Sequence, residues 1–174
     1  MNAPPELETE RLRLRQWRDH DLDAYAALCA DPEVMQHLHG PMTRAAAAAQ
    51  IDAFRRHWDE HGYGLWCVTA DDEDTCIGFI GLAVPTFLPE ILPAVEIGWR
   101  LARSAWGRGL ATEGARATVD VAFGPLGLDR IVSITMPENR RSWNVMLKLG
   151  MTLERTTVHP ELQVDVVVYE LAAP

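Results

Sequence analysis

From Val95 to Leu101 the chain alternates. Val95, Ile97, Trp99 and Leu101 share one apolar face while Glu96, Gly98 and Arg100 share the other, the pattern of a half-buried strand. Beyond it, Leu110, Ala111, Gly114, Ala115, Thr118, Val119, Ala122 and Phe123 recur at helical spacing. Two glycines, Gly107 and Gly109, therefore stand where a strand hands over to a helix.

The same reading extends along the chain. Arg11-Leu12-Arg13-Leu14-Arg15 alternates and predicts a first strand with its arginines on a solvated face. Asp19 or Asp21 is placed to cap a helix carrying Leu22, Tyr25, Ala26 and Cys29, which Asp31-Pro32 ends. An irregular connector, Val34 to Pro41, holds His37 and His39. Thr43 then caps a longer helix through about His61, with Ala47, Ile51, Phe54 and Trp58 as its buried stripe and Gly62 as its stop. Leu65–Ala70 and Ile77–Leu82 read as a hairpin whose acidic tip, Asp71-Asp72-Glu73-Asp74, is expected to be solvated. The segment from Pro85 to Pro93 is an apolar loop. After the central helix, Ile131–Met136 predicts a strand. Asn139 predicts the cap of a helix carrying Trp143, Met146 and Leu147, and two more strands follow at about 151–158 and 164–171. Mixed helices and strands without a repeat predict one α/β domain spanning 1–174.

Composition narrows the function classes. Hydrophobic residues at 48% and charged ones at 24% are ordinary for a globular chain, and the net charge of −9 argues against nucleic acid, whose binders present a basic face. An acidic protein is compatible with cationic amine partners. Cys29, Cys67 and Cys76 are scattered without a Cys-x-x-Cys and read as reduced thiols, with Cys29 and Cys67 in the core. No apolar run is long enough for a membrane span, and Met1-Asn2-Ala3-Pro4-Pro5 does not resemble a signal peptide, so a cytoplasmic protein is expected. His57 and His61 have the spacing of two helical metal ligands, but Trp58-Asp59-Glu60 lacks the glutamate of a zincin motif, and no metal is expected.

The glycine junction carries candidate chemistry. A helix start following a tight turn exposes several main-chain N–H groups at the positive end of the helix dipole, and glycines let an anion approach them. It is not a P-loop, since no Gly-x4-Gly-Lys-Ser/Thr occurs, and Thr112 stands where a Rossmann fingerprint needs glycine.

Several ordered motifs carry a resemblance. They are Glu96-Ile97-Gly98-Trp99, Ala105-Trp106-Gly107-Arg108-Gly109-Leu110-Ala111-Thr112-Glu113, Leu126-Gly127-Leu128-Asp129-Arg130-Ile131, Pro137-Glu138-Asn139-Arg140-Arg141-Ser142 and Lys148-Leu149-Gly150-Met151. Together with Glu8-Thr9-Glu10-Arg11-Leu12-Arg13-Leu14-Arg15, they resemble the GNAT superfamily of N-acetyltransferases, and within it the RimJ/RimL-like branch that acetylates ribosomal proteins. The resemblance spans nearly the whole chain. It implies a mostly antiparallel central sheet splayed at its middle strands, with helices on both faces, and acetyl-CoA as co-substrate. It places the first helices on the acceptor side, and the Pro85–Pro93 loop over the substrate mouth or at a homodimer contact.

Acetyl transfer to an amine requires a base, because an alkylammonium must lose a proton before attack. Glu96, on the polar face of the strand feeding the glycine turn, is the candidate; the resemblance points to it as well. A main-chain N–H of Trp99, Arg100 or Leu101 is expected to meet the acetyl carbonyl, with Gly98 marking a bulge or a close backbone approach. The amides of Gly107 to Ala111, with Thr112 and the cation of Arg108, are expected to hold the diphosphate beside Trp106. Asn139 is expected on the pantetheine arm. Many superfamily members carry a tyrosine acid where this chain has Met146, so Ser142 is expected to serve the departing thiol as partner or acid. No activated Cys or Ser–His pair is visible, so direct attack in a ternary complex is expected. The acceptor stays open between a protein N-terminal α-amine and a small molecule such as an aminoglycoside or polyamine. A non-catalytic acyl-CoA-binding module stays open as a different class.

Overall fold

The computed structural model describes residues 6–38, 40–70 and 73–174; residues 1–5, His39, Asp71 and Asp72, on which parts of the sequence reading fall, lie outside it. Its strands are β1 (Leu7–Glu8), β2 (Leu12–Arg15), β3 (Leu65–Ala70), β4 (Cys76–Ala83), β5 (Glu96–Leu101), β6 (Arg130–Thr135), β7 (Thr152–Val158) and β8 (Asp165–Ala172). Its helices are α1 (Asp21–Ala30), α2 (Arg44–His61), α3 (Leu110–Phe123) and α4 (Arg140–Lys148). One eight-stranded sheet runs in the order β1-β2-β3-β4-β5-β6-β8-β7. All neighbours are antiparallel except β5 and β6, which run parallel and share one register pair, Glu96 with Val132. The sheet is thus mostly antiparallel and splayed at its middle strands, as the sequence resemblance implied.

Alternation along the strands separates two cores. Ile80 and Leu82 of β4, with Ile97 and Leu101 of β5, pack against Leu110, Ala115 and Ala122 of α3 and Met146 of α4. Phe79 points the other way, into a cluster with Tyr25 and Cys29 of α1 and Ala47 and Ile51 of α2. Helices therefore cover both faces. Thr43 caps α2, its Oγ1 accepting from the Ala46 N–H at 3.2 Å, and Gly62 ends that helix in the left-handed region at φ 73°. The three thiols, Cys29, Cys67 and Cys76, are all buried; a hydrogen bond with Cys76 and then burial push the Cys67 thiol up. Among the described residues no helix is long and apolar enough to cross a membrane.

Three expectations need correcting. Arg15 is not solvated: its side chain is fully buried, with Nη2 and Nη1 donating to the two oxygens of Asp21 at 2.7 and 2.8 Å and Nε donating to Asp74 at 2.8 Å. The alternation placed Leu12 and Leu14 correctly, but the opposite face is covered here by α1, so a cation there needs carboxylates rather than water. For the same reason Asp74, of the acidic tip, is no idle solvated charge: it binds Arg15 and, at 2.8 Å, Arg18. Neither Asp19 nor Asp21 caps α1. The N-cap is His20, without a side-chain bond, while Asp21 lies in the first turn and also accepts from the Arg18 N–H at 2.7 Å.

This pair joins the first long strand to the first helix. Burial would raise the Asp21 carboxyl, but its hydrogen bond from Arg15 holds it below 3.8. Removing one charge strands the other. Asp21→Asn should lower unfolding free energy by roughly 3–5 kcal/mol in urea titrations at pH 7. The carboxylate's contribution is complete above pH 3.8 and disappears as pH falls through its depressed value, so the difference should shrink in strong acid.

Candidate active site

The site begins where β5 and β6 part. The Val132 N–H donates to the Val95 carbonyl at 2.9 Å, and the Glu96–Val132 pairing turns the Ile97 N–H toward β6 as well. Period two then fixes the rest of β5. The N–H groups of Trp99 and Leu101 also point toward β6, which has already diverged, so they face the opening. The Arg100 N–H points to the unbroken β4 ladder, in which Phe79 opposes Arg100. Of the amides the sequence left open, Trp99 and Leu101 are thus free to meet an acyl oxygen and Arg100 is not. Gly98 marks no bulge, since the β4–β5 register runs evenly from Gly78–Leu101 to Ala83–Glu96. It lines the cavity instead, and a Cβ built on it would meet nothing within 4 Å.

Glu96 sits at the point of divergence. Burial pushes its carboxyl up to about 8, against the main-chain N–H of Ile134, which favours the charged form. Val132 uses its N–H on β5; two residues on, Ile134 points the same way and meets this carboxylate. The side chain thereby occupies a gap in the ladder. A carboxyl poised near 8 can hold or release a proton close to neutral pH.

A cavity of about 660 Å³ passes through the splay. On the α3 face it is lined by Trp106, Gly107, Gly109, Leu110, Ala111 and Thr112, and by Asn139, Arg141, Ser142 and Lys148 of the α4 region. Gly107 and Gly109 adopt φ of 71° and 80°, which favours glycine, and Gly109 is the N-cap of α3. The first N–H groups of α3 have no partner within the helix and suit an anion. The Trp106 indole donates to the Leu101 carbonyl at 2.8 Å and supports the Arg141 guanidinium 4.2 Å above its ring. Asn139 caps α4, accepting from the Ser142 N–H at 3.3 Å and donating to Thr135 Oγ1 at 2.9 Å. Met146 is fully buried in the core.

On the opposite face the lining comes from the α1–α2 connector (Val34, His37, Leu38), from Leu65, Phe79 and Phe87, and from His159 and Glu161. Phe87 stacks on the His159 ring, centroids 5.1 Å apart and planes 6° from parallel, while Leu88 and Ile91 of the same proline-rich loop, with Ala94 just after it, pack on Val132 and Val168. His159 Nδ1 accepts from the N–H groups of Glu161 and Leu162, both at 3.3 Å.

Glu96, Trp99, Arg100, Leu101, Trp106, Gly107, Gly109, Leu110, Ala111, Thr112, Asn139 and Ser142 therefore meet around one space. Arg108 does not line it; its carbonyl accepts from Arg11 at 2.9 Å. Glu113 is structural. Burial would raise its carboxyl, but the Thr9 hydroxyl at 2.6 Å and the Arg11 guanidinium at 2.6 and 2.8 Å hold it below its usual range and tie the N-terminal strands to α3. Both ring nitrogens of His57 are engaged, Nδ1 with the Tyr63 carbonyl at 2.9 Å and Nε2 with the Val84 N–H at 3.1 Å, so its spacing to His61 does not make a ligand pair. The sequence reading missed Arg141, Lys148, Phe87, His159 and Glu161 as lining. Arg141 and Lys148 lay inside motifs already singled out, and Phe87 lay in the loop that the resemblance placed over the substrate mouth or at a dimer contact; nothing local marked His159 or Glu161.

Known proteins agree with this geometry. Residues 11–152 match the acetyltransferase (GNAT) domain family. The YkkB protein of Bacillus subtilis is 33% identical over 159 residues, covering 90% of each chain. An acetyltransferase from Agrobacterium tumefaciens superposes with a TM-score of 0.83 at 31% identity, over 98% of this chain and 96% of that one. A RimL ribosomal-protein α-N-acetyltransferase in complex with coenzyme A shares the fold, with a TM-score of 0.76 at 18% identity over 97% and 98% of the two chains. A splayed sheet, a glycine turn opening a helix at the splay and a match over most of the length lead to one assignment: this chain belongs to the GNAT acetyltransferase family and is an acetyl-CoA-dependent N-acetyltransferase.

Proposed function

We propose that the protein moves an acetyl group from acetyl-CoA onto a primary amine, a protein N-terminal α-amine or a related one, by direct attack in a ternary complex. The observation that carries this is the coincidence, at one break in the sheet, of a carboxyl raised to about 8 with two unpaired main-chain N–H groups. The RimJ/RimL-like assignment rests on the Glu8–Arg15 opening and on Asn139-Arg140-Arg141-Ser142.

In this reading Gly107, Gly109, Leu110, Ala111 and Thr112 hold the diphosphate through main-chain N–H groups, with Arg141 and Lys148 adding positive charge at that end. Asn139 contacts the pantetheine arm while capping α4. Glu96 takes one proton from the substrate ammonium, and the freed nitrogen attacks the thioester carbon. The N–H groups of Trp99 and Leu101 stabilise the oxyanion. When the carbon–sulfur bond breaks, the second nitrogen proton ends on the sulfur, assisted by the Ser142 hydroxyl, and Glu96 returns its proton to water. All three cysteines are buried and none lines the cavity, which supports direct attack over an acyl-enzyme.

Thiol release from acetyl-CoA across a broad amine panel tests the reading, and coenzyme A binding without turnover on any amine would overturn it in favour of a sensor module. With an acceptor amine that titrates below about pH 6, kcat/KM should rise with pH through a midpoint near 8 and level off only above it; Glu96→Gln should remove that limb and lower kcat/KM about 10²- to 10⁴-fold. The same group predicts a stability effect. Between 4.5, where the unfolded chain releases this proton, and about 8, the folded protein keeps it, so wild-type stability declines across that window. The melting temperature of Glu96→Gln relative to wild type should therefore climb from pH 5 to pH 8. Ser142→Ala should lower kcat about tenfold, the worth of one hydroxyl hydrogen bond, with coenzyme A affinity retained in calorimetry.

A further inference from the structure

Arg100 is a cation without a counter-ion at the floor of the cavity. Its Nη1 donates to the Tyr25 hydroxyl at 3.1 Å and to Gln50 Oε1 at 3.1 Å, and touches Cys29 Sγ at 3.6 Å. Its guanidinium carbon stands 5.1 Å over the Phe79 ring. None of these partners is a carboxylate. Burial keeps the Tyr25 phenol protonated, well above 10 despite the pull of Arg100, and its own hydrogen goes to Gln50 at 2.5 Å. Nε is buried with no acceptor, and none of these bonds uses Nη2. Arg15, the other arginine turned into this side of the sheet, has two carboxylates. Among the described residues Arg100 has no carboxylate within ion-pair distance, although its side chain is part-buried, its Nε is wholly so, and a guanidinium drawn out of water favours an anionic partner.

The surroundings say what would supply the missing charge. Glu96, Gly98 and Arg100 lie on one face of β5, the acceptor face, and all three line the cavity. Gly98 puts no side chain between the other two, and the space above it is open to at least 4 Å. Four residue steps along the strand separate the Cα atoms of Glu96 and Arg100 by about 13 Å, a span that both long side chains shorten from either end. The trough therefore has a proton acceptor at one end and an uncompensated guanidinium at the other.

We propose that Arg100 sets acceptor specificity: the amine acetylated here carries an oxyanion, a carboxylate or a phosphate, that rests against the Arg100 guanidinium while its nitrogen is presented to Glu96. This deepens the acetyltransferase reading above and rests on it. Phe79 and the Tyr25–Gln50 pair hold the guanidinium in place, so little side-chain freedom is lost on binding.

The test uses matched acceptors that share one amine and differ in the distal group: a carboxylate, a phosphonate and the neutral carboxamide. The wild-type enzyme should favour an anionic member over the carboxamide about 10- to 100-fold in kcat/KM, mainly through KM, the worth of one charge-assisted hydrogen bond. Whether carboxylate or phosphonate leads identifies the oxyanion. Arg100→Lys should retain part of the preference and Arg100→Met should level it. Equal use of carboxamide and anions by the wild-type enzyme, or an undiminished preference in Arg100→Met, overturns the proposal; the first comparison needs no variant to fold. If no amine releases thiol, the transferase reading fails separately. Calorimetry on the enzyme–coenzyme A complex then decides this one: binding of the anionic amines but not the carboxamide upholds it, and equal or absent binding rejects it.

Discussion

Everything in the site depends on β5 and β6 pairing at Glu96 and no further. Parallel strands normally continue their ladder until one of them ends, because each unpaired N–H or carbonyl away from water is costly. Here the break is tolerated because side chains fill it. Glu96 answers the Ile134 N–H, the Trp106 indole answers the Leu101 carbonyl, and the Asn139 amide and Thr135 hydroxyl answer each other at the far edge. What remains unanswered on β5, the N–H groups of Trp99 and Leu101, is what a developing oxyanion needs.

The break also divides the cavity by chemistry. On the α3 side, main-chain N–H groups and the cations of Arg141 and Lys148 gather. On the α1–α2 side the lining is largely aromatic and aliphatic, with Glu33, Glu96 and Glu161 as acids and Arg100 as the cation among them. On the reading proposed above, the two substrates enter from opposite faces of one sheet and meet at its gap, which separates the binding of an anionic nucleotide from that of an amine without a domain boundary.

Much of this was legible in the sequence where local rules govern. Alternation from Val95 to Leu101 placed β5, Thr43 and Asn139 were found as caps, and the glycines of the turn took the left-handed conformations their spacing suggested. What escaped reading was set by tertiary cover. Arg15 looked solvated because nothing in Arg11–Arg15 reveals that α1 roofs its outer face. Gly98 read as a bulge or a close backbone approach; the ladder is even there, and a Cβ on the glycine would meet nothing within 4 Å. Phe87 and His159 stack although 72 positions separate them in the chain, a contact created by β6 and β8 lying side by side and invisible to any local window.

The clamp of Arg11 on Glu113 has an electrostatic consequence. An acidic side chain in the first turn of α3 would oppose an incoming diphosphate, but Arg11 and Thr9 absorb that charge, leaving the positive end of the helix unopposed. On the reading proposed above, retention of the nucleotide then draws on two sources that ionic strength treats differently. Added salt screens Arg141 and Lys148, which stand in water, more than it weakens contact hydrogen bonds from amides fixed in the turn. Part of the affinity for the donor should accordingly outlast molar salt.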